Sequence, residues 1–238
     1  MLQRLDKMIA SQGKYSRREA QELIKGGKVK VNGITVRDRG VKSDDEKDTV
    51  TVNGEQLDFQ KFVYIMLNKP KGVVSATNDK NEKTVIDLVP KEYKRRNLFP
   101  AGRLDITTTG FVLITDDGDF AHRILSPKNH IEKTYEARLA EKVTDEQIKR
   151  ISEGIELKDG TKCLPAKVTV IEDGDEPLVE IKICEGKYHQ IKRMFAAAGN
   201  GVIGLKRTQM GGLILDPNLK EGECRLLTVR EVQIIENG

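Results

Sequence analysis

The sequence predicts a chain of interspersed helices and short strands in two parts, a small basic N-terminal module and a larger domain. Three observations predict it. Two Asn-Gly pairs, Asn32-Gly33 and Asn53-Gly54, follow alternating apolar runs, which is the signal of tight turns between strands. Capping boxes at Ser16-Arg17-Arg18-Glu19 and at Thr144 to Gln147 each open a helix, because the hydroxyl and the side chain three residues on satisfy each other's backbone amides. Several short apolar or β-branched runs, among them 62–67, 111–114, 166–171 and 178–184, read as strands.

Composition narrows the class. The 238 residues suffice for one large domain, or one medium domain and a small one. Charged residues make up 33% and no apolar run approaches the ~20 residues of a membrane span, so no membrane role is expected. The N-terminal residues lack the apolar core of a signal peptide. Cys163, Cys184 and Cys224 lie far apart without metal or redox spacing, and free thiols point to a reducing cytoplasm. The net charge of +4 conceals an asymmetry. Residues 1–43 hold 11 Lys and Arg against 4 Asp and Glu, a net of +7, which leaves −3 for the remainder. A compact basic block of this kind is the electrostatic footprint of a polyanion partner.

In chain order, Leu2, Leu5 and Ile9 share a helical face, and a second helix runs from Ser16 to about Lys25 before Gly26-Gly27. Lys28 to Val36 forms a hairpin about Asn32-Gly33, Thr49 to Val52 adds a strand, and Ser43 to Asp48 reads as an acidic loop. Gly54 to Lys61 is the expected linker, so the division falls at 1–58 and 59–238.

In the larger part, a strand ending at Leu67 meets the turn Asn68-Lys69-Pro70-Lys71-Gly72. Phe99 to Gly118 is the centre of the chain. There a turn-rich loop delivers Arg103 and Asp105, and the buried run Phe111 to Ile114 anchors it. Residue pattern alone fits a reactive pair and a capped surface turn equally. A short helix at 120–125 carries His122 and Arg123, and Lys133-Thr134-Tyr135 opens an alternating strand through Leu139. By itself, Tyr135 reads as an ordinary strand aromatic. A helix from His189 to Ala198 buries Ile191, Met194, Phe195 and Ala198, with His189 as a structural histidine at its start. The last strand is expected near Leu213 to Leu215 and a final helix at Thr228. Gly199 to Gly204 has phosphate-loop spacing, but Leu205 stands where the lysine belongs, and no Gly-x-Gly-x-x-Gly follows a strand.

Three motifs in order resemble those of the pseudouridine synthases: Leu67 to Gly72, Gly102-Arg103-Leu104-Asp105 with Lys133-Thr134-Tyr135, and Glu185 to Phe195. The run Glu185 to Asn200 and the loop Arg123 to Tyr135 resemble the branch that modifies small-subunit ribosomal RNA. Arg4 to Lys7, Ser16 to Ala20 and Lys28 to Gly33 are similar to the ribosomal-protein-S4-type RNA-binding module.

The resemblance implies an α+β fold, with a long mixed, mainly antiparallel sheet, flanking helices and a central cleft. It implies isomerisation of a uridine to pseudouridine in 16S ribosomal RNA by a monomer needing neither cofactor nor metal. Asp105 is then the catalytic carboxylate, Tyr135 packs on the base, and Lys192 pairs with Asp105, with Arg103 as a second positive group. Many relatives carry Arg in place of Lys192, and Lys cannot grip a carboxylate through two donors. RNA contacts are expected from Arg4, Ser16, Arg17, Arg18, Lys28, Lys30 and Asn32 in the module. In the larger domain they are expected from Lys69, Lys71, Arg123, Lys133, Lys187, Gln190 and Arg193. Two other readings stay open: a large-subunit enzyme of the same class, and a non-catalytic RNA-binding assembly factor.

Overall fold

The computed structural model describes residues 2–94 and 96–238. They form two compact units: the residues up to Val63 together with Val89–Leu98, and Tyr64–Leu88 together with Phe99–Gly238.

The first unit runs β1 (Leu2–Arg4), α1 (Leu5–Ser11), α2 (Arg17–Lys25), β2 (Val29–Val31), β3 (Ile34–Val36), β4 (Lys42–Asp44), β5 (Val50–Val52) and β6 (Glu55–Gln56). Strands order β3-β2-β5-β6 in one antiparallel sheet, while β1 pairs with β4. Leu5, Met8 and Ile9 of α1, Ala20 and Ile24 of α2, and Val29, Val50 and Val52 close the core. The α2 capping box is present in full. Two expectations change. Leu2 is extended and exposed rather than helical, because its backbone finds strand partners in β4. The stretch expected as a linker is structured: β6 pairs with β5, and Leu57 and Phe59 pack on the core.

The second unit runs β7 (Tyr64–Lys69), β8 (Phe99–Ala101), β9 (Thr109–Thr115), α3 (Gly118–Leu125), β10 (Lys133–Leu139), α4 (Asp145–Ser152), β11 (Lys167–Glu172), β12 (Leu178–Ile183), α5 (Gln190–Ala198), β13 (Val202–Met210), β14 (Leu213–Ile214), β15 (Cys224–Leu226) and α6 (Val229–Asn237). The fold is α+β: one sheet ordered β11-β12-β10-β13-β9-β7-β15, with β8 on β9 and β14 on β13. Met66, Phe111, Leu113, Phe120, Ile124, Met210 and Ile235 anchor the core on one side.

Every pairing in that sheet is antiparallel except β9 with β13, where Thr109 faces Lys206 and Gly110 faces Arg207. This junction joins the two halves of the sheet. It requires glycine at 110, which sits at φ +98°; a Cβ there would lie 2.2 Å from the carbonyl oxygen of Arg207. Strand β13 itself is absent from the sequence reading. Gly204, Lys206, Arg207 and Gln209 interrupt its apolar alternation, and its residues are mostly half-buried.

Candidate active site

The loop between β8 and β9 is pinned from beneath. Lys69, at the end of β7, is fully buried and donates to the carbonyls of Pro70 (3.1 Å), Asp105 (3.1 Å), Ile106 (3.4 Å) and Thr108 (2.8 Å). Burial pulls its ammonium down to about 8. The Ser75 hydroxyl exchanges hydrogen bonds with the backbone of Leu104, at 3.0 and 3.1 Å, and the Gly72 amide donates to Ile106. The backbone of the loop is thereby tied to Lys69, Gly72 and Ser75 along 104–108.

The loop holds Asp105 with 26% of its side chain exposed. Lys192, in the first turn of α5, places Nζ 3.4 Å from Asp105 Oδ2 and donates to Thr107 Oγ1 at 2.8 Å. His189 Nε2 stands 3.4 Å from Asp105 Oδ1. His189 is therefore part of the site, not a structural histidine of the helix. Its backbone is left-handed, at φ +47°, which turns the ring away from the helix and toward the loop. The Tyr188 ring stacks on it at 3.8 Å and 18°. Arg103 is exposed on the cleft rim and, among the described residues, makes no ion pair with Asp105.

Arg103, Asp105, Tyr188 and His189 border an open cleft of about 710 Å³ in the second unit. Its floor includes Lys133 and Tyr135 from β10 and Arg207 from β13, all less than a tenth exposed. Arg207 is the functional candidate that the sequence reading missed. Its Nε donates to the Phe111 carbonyl at 2.7 Å, Nη1 reaches Tyr135 Oη at 3.5 Å, and the guanidinium lies 6.0 Å from the Tyr135 ring centre. No motif marks it; only the β9–β13 junction brings it opposite Gly110 and the loop.

The residues expected to meet RNA divide into three groups. Lys69 has no exposed surface and serves the loop, so burial removes it from that role. Gln190 and Lys133 are also buried, Gln190 bonding Glu185 Oε1 (2.7 Å) and the Lys187 amide (2.9 Å). Arg123 is tied to Glu236, Lys187 to Glu185, and Arg193 to Asp159. In the first unit Arg4 and Arg17 both bind the buried Asp6, Ser16 caps α2, and the Asn32 amide is committed to Asp48 and Thr49. Arg18, Lys28, Lys30 and Lys71 are exposed and, among the described residues, unpaired.

Comparison with known proteins agrees with this geometry. Residues 63–197 match the model of the RNA pseudouridylate synthases and residues 3–50 that of the S4 domain. The chain is 44% identical to an uncharacterized RNA pseudouridine synthase of Bacillus subtilis, over 98% of each chain. It is 45% identical to the ribosomal small subunit pseudouridine synthase A of Escherichia coli K12, over 96% of this chain and 98% of that one. Among solved structures it superposes on a pseudouridylate synthase crystal structure with TM-score 0.69 and 41% identity, covering 98% and 99% of the two chains. With an S4 domain ahead of the cleft that holds Asp105, the chain belongs to the RNA pseudouridylate synthase family.

Proposed function

We propose that this enzyme isomerises one uridine of 16S ribosomal RNA, with Asp105 as the catalytic carboxylate. The observation that carries the reading is Asp105 itself: partly open, flanked at 3.4 Å by Lys192 and His189, on the wall of a cleft floored by Tyr135. The reaction breaks the ribose C1′–N1 bond and joins C1′ to C5 of the same base, so nothing is added or removed. A uridine must leave its stack to reach such a cleft. Lys192 sets a cation 3.4 Å from the carboxylate, and a carboxylate is a group able to act as nucleophile or base. Tyr135 offers a ring for the extruded base, and its hydroxyl is already held by Arg207. The 16S assignment is supported by the near full-length likeness to the E. coli small-subunit enzyme.

In this reading residues 1–58 dock the RNA and 59–238 carry the chemistry, since the exposed and unpaired Arg18, Lys28 and Lys30 cluster in the basic block. Mapping pseudouridine across ribosomal RNA from cells lacking the protein tests the assignment. Loss of one 16S position, restored by wild type and not by Asp105→Asn, is the expected result. Loss at a 23S position would move the target to the large subunit, and an unchanged map would leave an RNA-binding assembly factor.

A further inference from the structure

Resting on the reading of Asp105 above, we propose that Lys133 and Arg207 form an anion seat in the cleft floor. It receives the negative charge that uracil carries once it has left C1′. The register sets the pair. Arg207 lies directly across from Tyr135, and Lys133 is two residues from Tyr135 on the same face of β10. Their residues are only 6% and 3% exposed.

What distinguishes them is the absence of any counter-charge. Among the described residues neither is paired with a carboxylate, and the Lys133 ammonium has no hydrogen-bond acceptor. Arg207 Nη2 is buried and likewise without a partner. Lys69 is as buried, yet four carbonyls satisfy it. Burial, then the neighbouring Arg207, pull the Lys133 ammonium down to about 8, while the Cys184 thiol opposes this weakly. Two adjacent desolvated cations weaken a fold. Such arrangements persist where charge appears during reaction, since preformed cations stabilise it without reorganising.

The chemistry supplies that charge. When C1′–N1 breaks, its electron pair stays on the base and spreads over N1, O2 and O4, while a carboxylate oxygen of Asp105 supplies the pair that bonds C1′. When C1′–C5 forms, a ring pair makes the new bond, the C1′–O pair returns to Asp105, the C5 proton leaves, and N1 ends protonated. The anion exists only between these events. A phosphodiester, the other source of anionic oxygen in this substrate, is charged throughout, so the two separate by kinetics.

The test uses the full-length enzyme and Lys133→Met. Calorimetry with free pyrimidines compares uracil with barbiturate, a ring of similar shape that is anionic at neutral pH. Wild type should prefer barbiturate at least tenfold and Lys133→Met should lose the preference. On 16S transcript, the variant's single-turnover rate at saturating RNA should fall about 100-fold with the RNA Kd unchanged within twofold. Its thermal midpoint should hold or rise, because an unpaired buried cation has gone; Lys133→Arg should recover part of the rate. Weakened RNA binding with an unchanged rate would make the site a phosphate contact and overturn the proposal. So would equal binding of the two pyrimidines by wild type, or rate loss matched by unfolding. A wild type that prefers barbiturate yet makes no pseudouridine would keep the seat and refute the reaction.

Discussion

Each unit of this protein contains an aspartate flanked by basic residues, and the two are built to opposite ends. Asp6 is fully buried. Its carboxylate accepts from Arg4 Nε and Nη2 (3.0 and 3.1 Å), Arg17 Nε (3.2 Å), Gln21 Nε2 (2.7 Å) and the Lys7 amide (2.8 Å). Burial pushes the Asp6 carboxyl up, but the hydrogen bonds from Arg4, Gln21 and Arg17 outweigh it and hold the group well below the usual carboxylate range. Asp105 is a quarter exposed, its nearest cationic and imidazole groups stand off at 3.4 Å, and among the described residues no hydrogen bond ends on its carboxylate oxygens. A carboxylate whose lone pairs are all committed is a lock. One that keeps its charge balanced and its carboxylate oxygens open is free to react, the role proposed for Asp105. On that proposal the same residue types give structure or chemistry according to how many donors reach the carboxylate.

Breaking each aspartate should separate the roles, and the largest effect belongs to Asp105. Asp105→Asn should lower isomerisation of tritiated uridine in 16S transcript to background with an unchanged thermal midpoint, since no donor loses its partner. Near wild-type turnover would remove Asp105 from the chemistry. Next comes Lys192→Met, expected to lose roughly 30-fold or more in rate, or ~2 kcal/mol, with Lys192→Arg retaining much of the activity. A harmless Met there would leave His189 as the group that matters.

Asp6→Asn should do the reverse, costing ~1–3 kcal/mol of stability while folded enzyme at saturating RNA keeps its rate. The sign of its pH dependence follows from the lowered folded-state value. The carboxylate stabilises the fold fully above its ordinary range near pH ~4 and loses that contribution as pH falls through the lower folded value. The stability gap between wild type and Asp6→Asn should thus be flat near neutrality and close in strong acid. A gap that widened on acidification would contradict the lock. The smallest effect sharpens the comparison rather than breaking it. Replacing Arg18, Lys28 and Lys30 together should flatten the slope of log affinity against log salt by ~0.7–0.9 per lost phosphate contact. Arg4 and Arg17, half spent on Asp6, should each contribute less to a salt titration of RNA binding.

Much of this was legible in the sequence where a local rule applies. The capping boxes expected at Ser16 and Thr144 are present, the helix expected at Thr228 begins there with a box of its own, and Gly199, at φ +89°, ends α5 as a helix-stopping glycine should. The Asp105 loop was legible because its turn and anchoring strand are contiguous. What was not legible is what arises between distant segments. Lys69 reads as a surface lysine in a Pro-Gly turn, and only the folded loop shows four carbonyls converging on it. His189 reads as a helix-start residue until its left-handed backbone aims it at Asp105. Strand β13 was not legible because Gly204, Lys206, Arg207 and Gln209 break its alternation, and only its partners β10 and β9 on either side define it. The second unit's boundary is likewise non-local, since Val89–Leu98 packs with the first unit although it follows β7 in sequence.

The single parallel seam between β9 and β13 has a consequence for the birth of the enzyme. Asp105 and Lys206 are about 100 residues apart, which at ~5–20 residues per second is ~5–20 s of synthesis. For most of that interval the nascent chain holds the carboxylate loop and its Lys69 anchor without Lys192, and throughout it Arg207 is still to come. The chain can therefore present its basic N-terminal surface to RNA well before any cleft exists to act on a uridine. Capability arrives late, when β13 comes in beside Gly110 and closes the seam.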